Sequence, residues 1–253
     1  MQALLVSTLV FVGLFGGAIG AMLGARRLKQ HHLSKETQEA VKLGVGMVAA
    51  MASLILGLMT ASVKGNFDST SKDVQQYATY LVTLDSVLRD YGPDAAAARK
   101  ALLVYTRSAI AETWPAGGDA APLVNSIASG RQLSDVGRQL RGLNPQTPAQ
   151  TELRAEAISR YQSLTTLRWT LIAESATQIP TVFTVVLVVW LILIFVSFGL
   201  FAPINAVSLV VFPLCCLSLA GAIFLILEMS SPFSGIIVVA PDAMQNALQH
   251  MEM

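Results

Sequence analysis

Four long stretches of the sequence are apolar and almost free of charge, and this feature constrains the fold more than any other. A helix needs about 20 residues to cross the hydrocarbon core of a bilayer, and each stretch is that long. Over the whole chain 53% of residues are hydrophobic and only 13% are charged. The sequence therefore predicts an integral membrane protein. We place the spans at residues 3–24, 43–63, 181–201 and 206–227.

The order of the spans predicts an all-α membrane protein in which two hairpins flank an inserted polar domain. Only residues 202–205 separate the last two spans, so we expect these to run antiparallel. Most charged residues of the chain lie between the second span and the third. The predicted segments are a first hairpin at 1–64 with a basic loop at 25–42, a helical extramembrane domain at 65–178, a second hairpin at 179–229, and an interfacial tail at 230–253.

Small residues recur along the first two spans at four-residue steps. Apolar helices gain little by burying each other from lipid, so their association depends on close backbone approach, which small residues permit. We therefore interpret these positions as helix-packing residues. They are Gly13, Gly16, Gly17, Gly20 and Gly24 on the first span, and Ala49 and Ala61 on the second.

Ser53, Gly57, Thr60 and Lys64 share one face of the second span and change from small and hydroxylated to cationic toward the polar domain. A contact with another helix is one explanation of this face. The other is that the face lines a pore in an oligomer, where a cationic mouth would favour anions. Both explanations remain open at the level of sequence.

The 65–178 domain has the periodicity of a helical bundle. Apolar and aromatic residues recur every seven positions beyond the second span, in two offset sets, and such a seam buries one face of a long helix. The first set is Phe67, Val74, Leu81 and Leu88, and the second is Tyr77, Leu84 and Tyr91.

Helix boundaries in this domain follow from its prolines and glycines. We expect the long helix to end at Tyr91, a second to cover residues 95–114, a third to begin near Ser134, and a fourth to run from Thr147 to about residue 178. Thr147 is a capping residue followed by proline and, three positions on, by glutamine. The first and last helices should pack antiparallel as a stalk.

A turn follows the fourth span, and residues 242–253 have the pattern of a short amphipathic helix. The turn residues are Glu228, Pro232, Phe233 and Gly235.

No catalytic or metal-binding pattern is present. The sequence has no phosphate-binding loop, zinc-protease motif or nucleophile elbow. The adjacent pairs His31–His32 and Cys215–Cys216 do not have metal-ligand spacing. We therefore predict no enzyme activity, no cofactor and no metal. The net charge of +1 gives no reason to expect a nucleic-acid partner.

Several motifs resemble the bacterial membrane proteins known as bestrophin-like. They are Lys42–Gly46 and Leu54–Ser62 on the second span, Leu84–Asp85 and Tyr91–Asp94 beyond it, and Glu228–Gly235 after the fourth. The resemblance covers almost the whole chain. It implies kinship with bestrophins, which are pentameric anion channels with helical extramembrane domains.

Two functional hypotheses follow. The first is a homo-oligomer of four or five subunits in the lipid bilayer that conducts small anions, with the second span lining the pore. The second is a non-conducting sensor or scaffold whose helical domain binds a partner in the envelope. The number of subunits distinguishes them, because a ring of four or more favours the channel.

The charge of the first loop predicts orientation. Short loops rich in lysine and arginine stay in the cytoplasm, and the loop contains Arg26, Arg27, Lys29, Lys35 and Lys42. In a bacterial inner membrane this places the 65–178 domain on the non-cytoplasmic side, whereas bestrophins keep theirs inside the cell.

Overall fold

The computed structural model describes residues 2–27, 34–115, 127–176, 180–203 and 205–253. Within these ranges all regular structure is helical, as the sequence predicts. A short 3₁₀ turn at Pro93–Ala95 joins the second α-helix to the third. The α-helices are α1 (Gln2–Ala25), α2 (Lys35–Tyr91), α3 (Ala96–Thr113), α4 (Ile127–Gly142), α5 (Pro148–Ala176), α6 (Thr181–Phe201), α7 (Ala206–Met229) and α8 (Asp242–Glu252).

The chain divides into two compact units, and α2 contributes to both. One unit contains residues 1–65 and 179–230, and the other contains residues 66–178 and 231–253. Four helices, α1, α2, α6 and α7, are long and apolar enough to cross a membrane. This finding confirms the four predicted spans, while their arrangement as two hairpins stays a prediction.

In the first unit, α1 packs against both α6 and α7. Leu14 and Ala18 of α1 are fully buried there. The closest approach lies at Gly199 of α6, where a Cβ atom would stand 2.2 Å from the carbonyl oxygen of Ala18. No side chain fits at that distance, so the contact between these helices requires glycine at this position.

The helix α2 is longer at its start than the predicted span, since it begins at Lys35. It continues through Gly65 without a break and ends at Tyr91, as the sequence predicts. Gly92 follows with a φ of +103°, a conformation that glycine adopts at little cost. Lys29, His31 and His32 of the predicted basic loop lie outside the described residues.

The predicted seven-residue seam forms the core of the second unit. Six of its seven residues are buried, namely Val74, Tyr77, Leu81, Leu84, Leu88 and Tyr91, and Phe67 packs against them. The buried hydroxyl groups of Tyr77 and Tyr105 hydrogen-bond to each other, and burial raises the pKa of both. These hydroxyls are therefore satisfied within the core.

Two hydrogen bonds show that α2 and α5 run antiparallel along this unit. The Thr70 hydroxyl donates to a Glu174 carboxylate oxygen over 3.1 Å at one end. At the other end, the Gln150 side-chain amide donates to the Tyr91 carbonyl over 3.4 Å. The stalk of two antiparallel helices expected from the sequence is therefore present.

The start of α5 agrees with the predicted cap. The backbone N–H of Gln150 donates to the Thr147 hydroxyl over 3.2 Å, and the Gln150 side chain accepts from the N–H of Gln146 over 2.8 Å. The predicted start of α4 near Ser134 is wrong, because this helix already begins at Ile127. Ser134 does not act as a cap, since its hydroxyl donates to the Gly130 carbonyl within the helix.

The C-terminal segment 231–253 belongs to the core of the second unit. Met244, Ala247 and Met251 form the buried face of α8, which packs against α3. Before α8, the ring of Phe233 meets Trp114 edge to face, with centroids 6.1 Å apart.

Candidate functional site

The four predicted pore-lining residues all lie on the exposed side of α2. Ser53, Gly57, Thr60 and Lys64 are exposed, whereas Ala52, at 2% exposure, lies in the core of the first unit. We call this exposed surface the Lys64 face. The residues of α2 that pack against the same core are Val45, Val48, Ala49, Ile55, Leu56 and Met59. The Lys64 face therefore makes no contribution to the core of the first unit.

The small residues of span two do not share one environment. Ala49 packs against the core of the first unit, whereas Ala61 is exposed. The reason is geometric, because four residues advance an α-helix by about 40° beyond one full turn. A strict four-residue repeat therefore winds around the helix, and its first and last members face different neighbours.

The glycines of α1 also divide into two groups. Gly13 and Gly17 lie against α6, where a Cβ atom at Gly17 would be 3.1 Å from Cγ2 of Val196. A Cβ at Gly16, Gly20 or Gly24 would meet no atom within 4 Å. Gly13 and Gly17 thus pack α1 against α6. Gly16, Gly20 and Gly24 form an open surface.

The four residues that the sequence assigns to a turn after the fourth span lie in different surroundings, and Glu228 belongs to α7 itself. Glu228 is buried near the end of α7 and Phe233 is buried in the second unit. The N–H of Val239 donates to the Pro232 carbonyl over 2.8 Å, which closes the segment into a loop. Gly235 has a φ of +107°, so this position favours glycine. A backbone hydrogen bond and a glycine in a left-handed conformation therefore define the conformation of this segment.

The best-defined polar site in the described chain is a cluster at the end of α8 that we call the C-terminal clamp. The side chain of Asp85 is 3% exposed, and each of its oxygens accepts one hydrogen bond of 2.8 Å, from Nε of Arg89 and Nε of Arg99. The same guanidinium groups donate through Nη2 to the carbonyls of His250 and Met251, over 2.7 and 2.6 Å.

The C-terminal clamp satisfies groups that a helix cannot satisfy alone. The last four carbonyls of an α-helix lack partners within it, and positive charge is favourable at that end. Asp85 fixes the orientation of both guanidinium groups, so it acts on α8 through the arginines. Trp114 adds a further attachment, because its indole N–H donates to the Val239 carbonyl over 2.8 Å.

The C-terminal clamp could not be predicted from local sequence patterns. Asp85 and Arg89 stand four residues apart, which is ordinary pairing on a helix. Arg99 comes from another helix and the accepting carbonyls come from the chain terminus, so no local periodicity connects these groups.

A second polar contact joins α2 to α5 near the end of the stalk. Ser69 and Thr70 both donate hydroxyl hydrogen bonds to the Glu174 carboxylate. Partial burial raises the pKa of this carboxyl, the hydroxyl groups lower it, and nearby Asp73 raises it further. Among the described residues, no three His, Cys, Asp or Glu side chains form a group that could hold a metal ion.

Comparison with known proteins agrees with this architecture. The crystal structure of a bacterial bestrophin homolog from Klebsiella pneumoniae, in one single-residue variant, matches with a TM-score of 0.71 at 14% identity and covers 98% of this chain and 99% of that one. A second variant matches with a TM-score of 0.70, also at 14% identity, and covers 99% and 97%. Among curated proteins none matches this sequence significantly.

The helical fold and its four apolar helices define an integral membrane protein. The model of the bestrophin-like domain matches residues 12–244. The chain therefore belongs to the bestrophin-like family, as the sequence motifs suggest.

Proposed function

We propose that this chain is the subunit of a homo-oligomeric anion channel in which the Lys64 face of α2 lines the pore. The observation that carries the proposal is the exposure of this face on a helix whose other side is packed in the subunit core. Membership of the bestrophin-like family and the fold shared with a bacterial bestrophin homolog also support it.

The chemistry of the face suits a narrow path for ions. Glycine at position 57 leaves room near the helix axis, and the hydroxyls of Ser53 and Thr60 offer weakly polar contacts. The Thr60 hydroxyl donates to the Leu56 carbonyl over 2.8 Å, so its hydrogen is already used and the attraction for anions on this face comes from Lys64. Lys64 would supply a ring of positive charge at one mouth, and such a ring attracts anions.

A single α2 helix cannot enclose a path, so the proposal requires a ring of copies around one axis. We propose four or five subunits, because these enclose a narrow channel with one helix from each. The open surface at Gly16, Gly20 and Gly24 supports assembly, since it leaves space for close approach of another helix.

The experiment is ion flux through the purified protein in planar bilayers under a chloride gradient. Wild type should conduct with a reversal potential near that of chloride, and Lys64→Glu should shift it toward the cation value. Lys100→Glu is the matched control, because Lys100 is an exposed lysine on α3. Wild type that conducts nothing over a wide range of voltage and tension would contradict the proposal and favour a sensor or scaffold that binds an envelope partner.

We also propose that residues 65–178 lie on the non-cytoplasmic side of the bacterial inner membrane. The basic residues that flank the first loop support this orientation, because lysine and arginine are retained in the cytoplasm. An alkaline phosphatase fusion at Gly118 should be active and a cytoplasmic fluorophore at His32 should fluoresce. The reverse pattern would invert the orientation and leave the conduction experiment unaffected.

A further inference from the structure

The side of α2 that carries the Lys64 face continues toward the start of the helix. An α-helix turns by about 100° per residue, so each residue has a defined angle from Lys64 about the helix axis. The first unit contains α2 from Lys35 to Gly65, without a break in the helix. Before Ser53, the residues within about 40° of Lys64 are Lys35, Glu39, Lys42, Gly46 and Ala50. We call these residues together with the Lys64 face the α2 strip.

The α2 strip differs in composition from the rest of the helix surface. Its residues are all exposed, and each of them is small or charged. The large apolar residues that α2 exposes in this unit lie about 60–140° away on one side of the strip, and they are Leu43, Met47, Met51, Leu54 and Leu58. The residues of α2 in the core of the first unit lie about 60–180° away on the other side. Large apolar side chains suit lipid or a neighbouring helix, whereas small and charged ones leave room for water and ions.

Two lysines of the α2 strip lie at opposite ends of its uncharged part. The strip carries no charge between Lys42 and Lys64. The helix rises about 1.5 Å per residue, so these two lysines are about 33 Å apart along its axis. The hydrocarbon core of a bilayer is about 30 Å thick. One lysine of the strip therefore lies near each surface of the membrane.

The charges of the α2 strip beyond Lys42 alternate in sign. Glu39 lies about one turn outside Lys42, and Lys35 lies about one turn outside Glu39. In a ring of subunits each position repeats once per copy, and a ring of charged side chains at a pore mouth selects the ions that enter. A ring of Lys42 concentrates anions, and a ring of Glu39 beside it opposes this effect. With two lysines and one glutamate, this end of the strip keeps a net positive charge.

We propose that the pore has a second cationic mouth, formed by Lys42 of each subunit at the opposite end of the span from Lys64, and that Glu39 limits its attraction for anions. The inference rests on the proposed function, because it requires the Lys64 face to line a pore. It adds the residues that set how readily anions enter from the other side of the membrane.

Single-channel currents of the full-length protein in planar bilayers test the second mouth, with the same dilute potassium chloride on both sides and both voltage polarities. Lys42→Gln should lower the current carried by chloride that enters at the Lys42 mouth by about two-fold or more. A unit charge about 8 Å away changes the local concentration of a monovalent ion in water about two-fold. Lys64→Gln should lower the current of the opposite polarity, so the two variants should rectify in opposite directions.

Glu39→Gln tests the opposing charge, and it should raise the chloride current that Lys42→Gln lowers. Glu36→Gln is the matched control, because Glu36 is also an exposed glutamate at the start of α2 but lies about 80° away from Lys64. Both the Lys42→Gln and the Glu39→Gln effects should disappear in about 1 M salt, where the Debye length falls to about 3 Å. An effect that persists there would show a change in the shape of the pore and would count against the electrostatic role.

The outcomes separate this inference from the channel proposal. Rectification in opposite directions by Lys42→Gln and Lys64→Gln supports the second mouth. Rectification by Lys64→Gln alone overturns it and leaves the channel intact, and rectification by both variants in the same direction overturns the opposite placement of Lys42. Equal currents of Glu39→Gln and Glu36→Gln would refute the role of Glu39. Wild type that conducts nothing defeats both proposals.

Restoration of the charge by thiol chemistry provides a second readout. A cationic thiosulfonate should return the current of Lys42→Cys toward the wild-type value, and an anionic one should lower it further. Each reagent should act on Lys42→Cys from the side of the bilayer opposite to the one from which it acts on Lys64→Cys. Wild type treated in the same way controls for the native Cys215 and Cys216. Reagents that act on both variants from the same side, or that change the current of Lys42→Cys without regard to their charge, would overturn the proposal.

Discussion

Asp85→Asn should release α8 from the second unit. The carboxylate accepts from two guanidinium groups over 2.8 Å each, whereas an asparagine amide nitrogen would face one of them donor to donor. Hydrogen bonds to charged groups contribute about 1.5–3 kcal/mol each. The side chains of Arg89 and Arg99 are 38% and 31% exposed. Solvent therefore screens both hydrogen bonds and can replace part of what the substitution removes. We expect the free energy that holds α8 against the rest of the second unit to fall by about 3 kcal/mol.

Hydrogen–deuterium exchange of the amides in α8 measures this loss directly. A loss of about 3 kcal/mol corresponds to exchange about 100-fold faster, since 1.4 kcal/mol is a factor of ten. Asp90→Asn is the control, because Asp90 is exposed on the same helix. Equal protection of α8 in both variants would refute the role assigned to Asp85, and a uniform loss of protection throughout the unit would show a general destabilisation instead.

Two further predictions follow from the packing and the charges. Gly199→Ala should lower the melting temperature in detergent, because its Cβ would meet the Ala18 carbonyl at 2.2 Å and overpacking costs about 1–3 kcal/mol. Gly221→Ala on α7 is the control and should melt like wild type, because its Cβ would meet no atom within 4 Å. Equal melting of the two variants would contradict the close contact at Gly199. The pKa of Glu174 is raised in the folded state, whereas in the unfolded chain this carboxyl loses its proton above about pH 4.3. The protonated carboxyl therefore stabilises the folded state fully below that pH. This stabilisation is lost as pH rises through the raised pKa. Glu174→Gln should remove that pH dependence from the unfolding curve, and an unchanged pH profile would show that another group causes it.

Local patterns predicted the elements of this fold well. The four spans follow from apolar length, the buried side of α2 from its seven-residue seam, and the start of α5 from Thr147 and Gln150. Each of these signals lies within one helix, where periodicity and capping depend on neighbours in sequence.

The partners of those helices could not be predicted in the same way. The small residues Gly13 and Gly17 signal close packing, but they do not specify that the neighbour is α6. The C-terminal clamp joins residues from α2, α3 and the chain terminus, and the carbonyls it binds are backbone groups present in any sequence. The start of α4 was missed because Ala128, Ser129 and Gly130 give almost no apolar periodicity.

The Lys64 face could be predicted in part: its position on α2 follows from the sequence, but its neighbour does not. The sequence grouped its four residues on one side of a helix, and the structure adds that this side is exposed in the subunit. Small residues at a helix surface are equally compatible with a contact and with a pore, because both require little side-chain volume. A functional measurement is therefore needed to decide between them.

Block of the current by thiol modification tests the central claim most directly. Thr60→Cys places a thiol on the Lys64 face, and Leu58→Cys places one elsewhere on the exposed surface of the same helix. A charged thiosulfonate applied to single channels should block Thr60→Cys rapidly and leave Leu58→Cys and wild type conducting. Channels that are blocked at Leu58→Cys and remain open at Thr60→Cys would show that another face of α2 lines the pore.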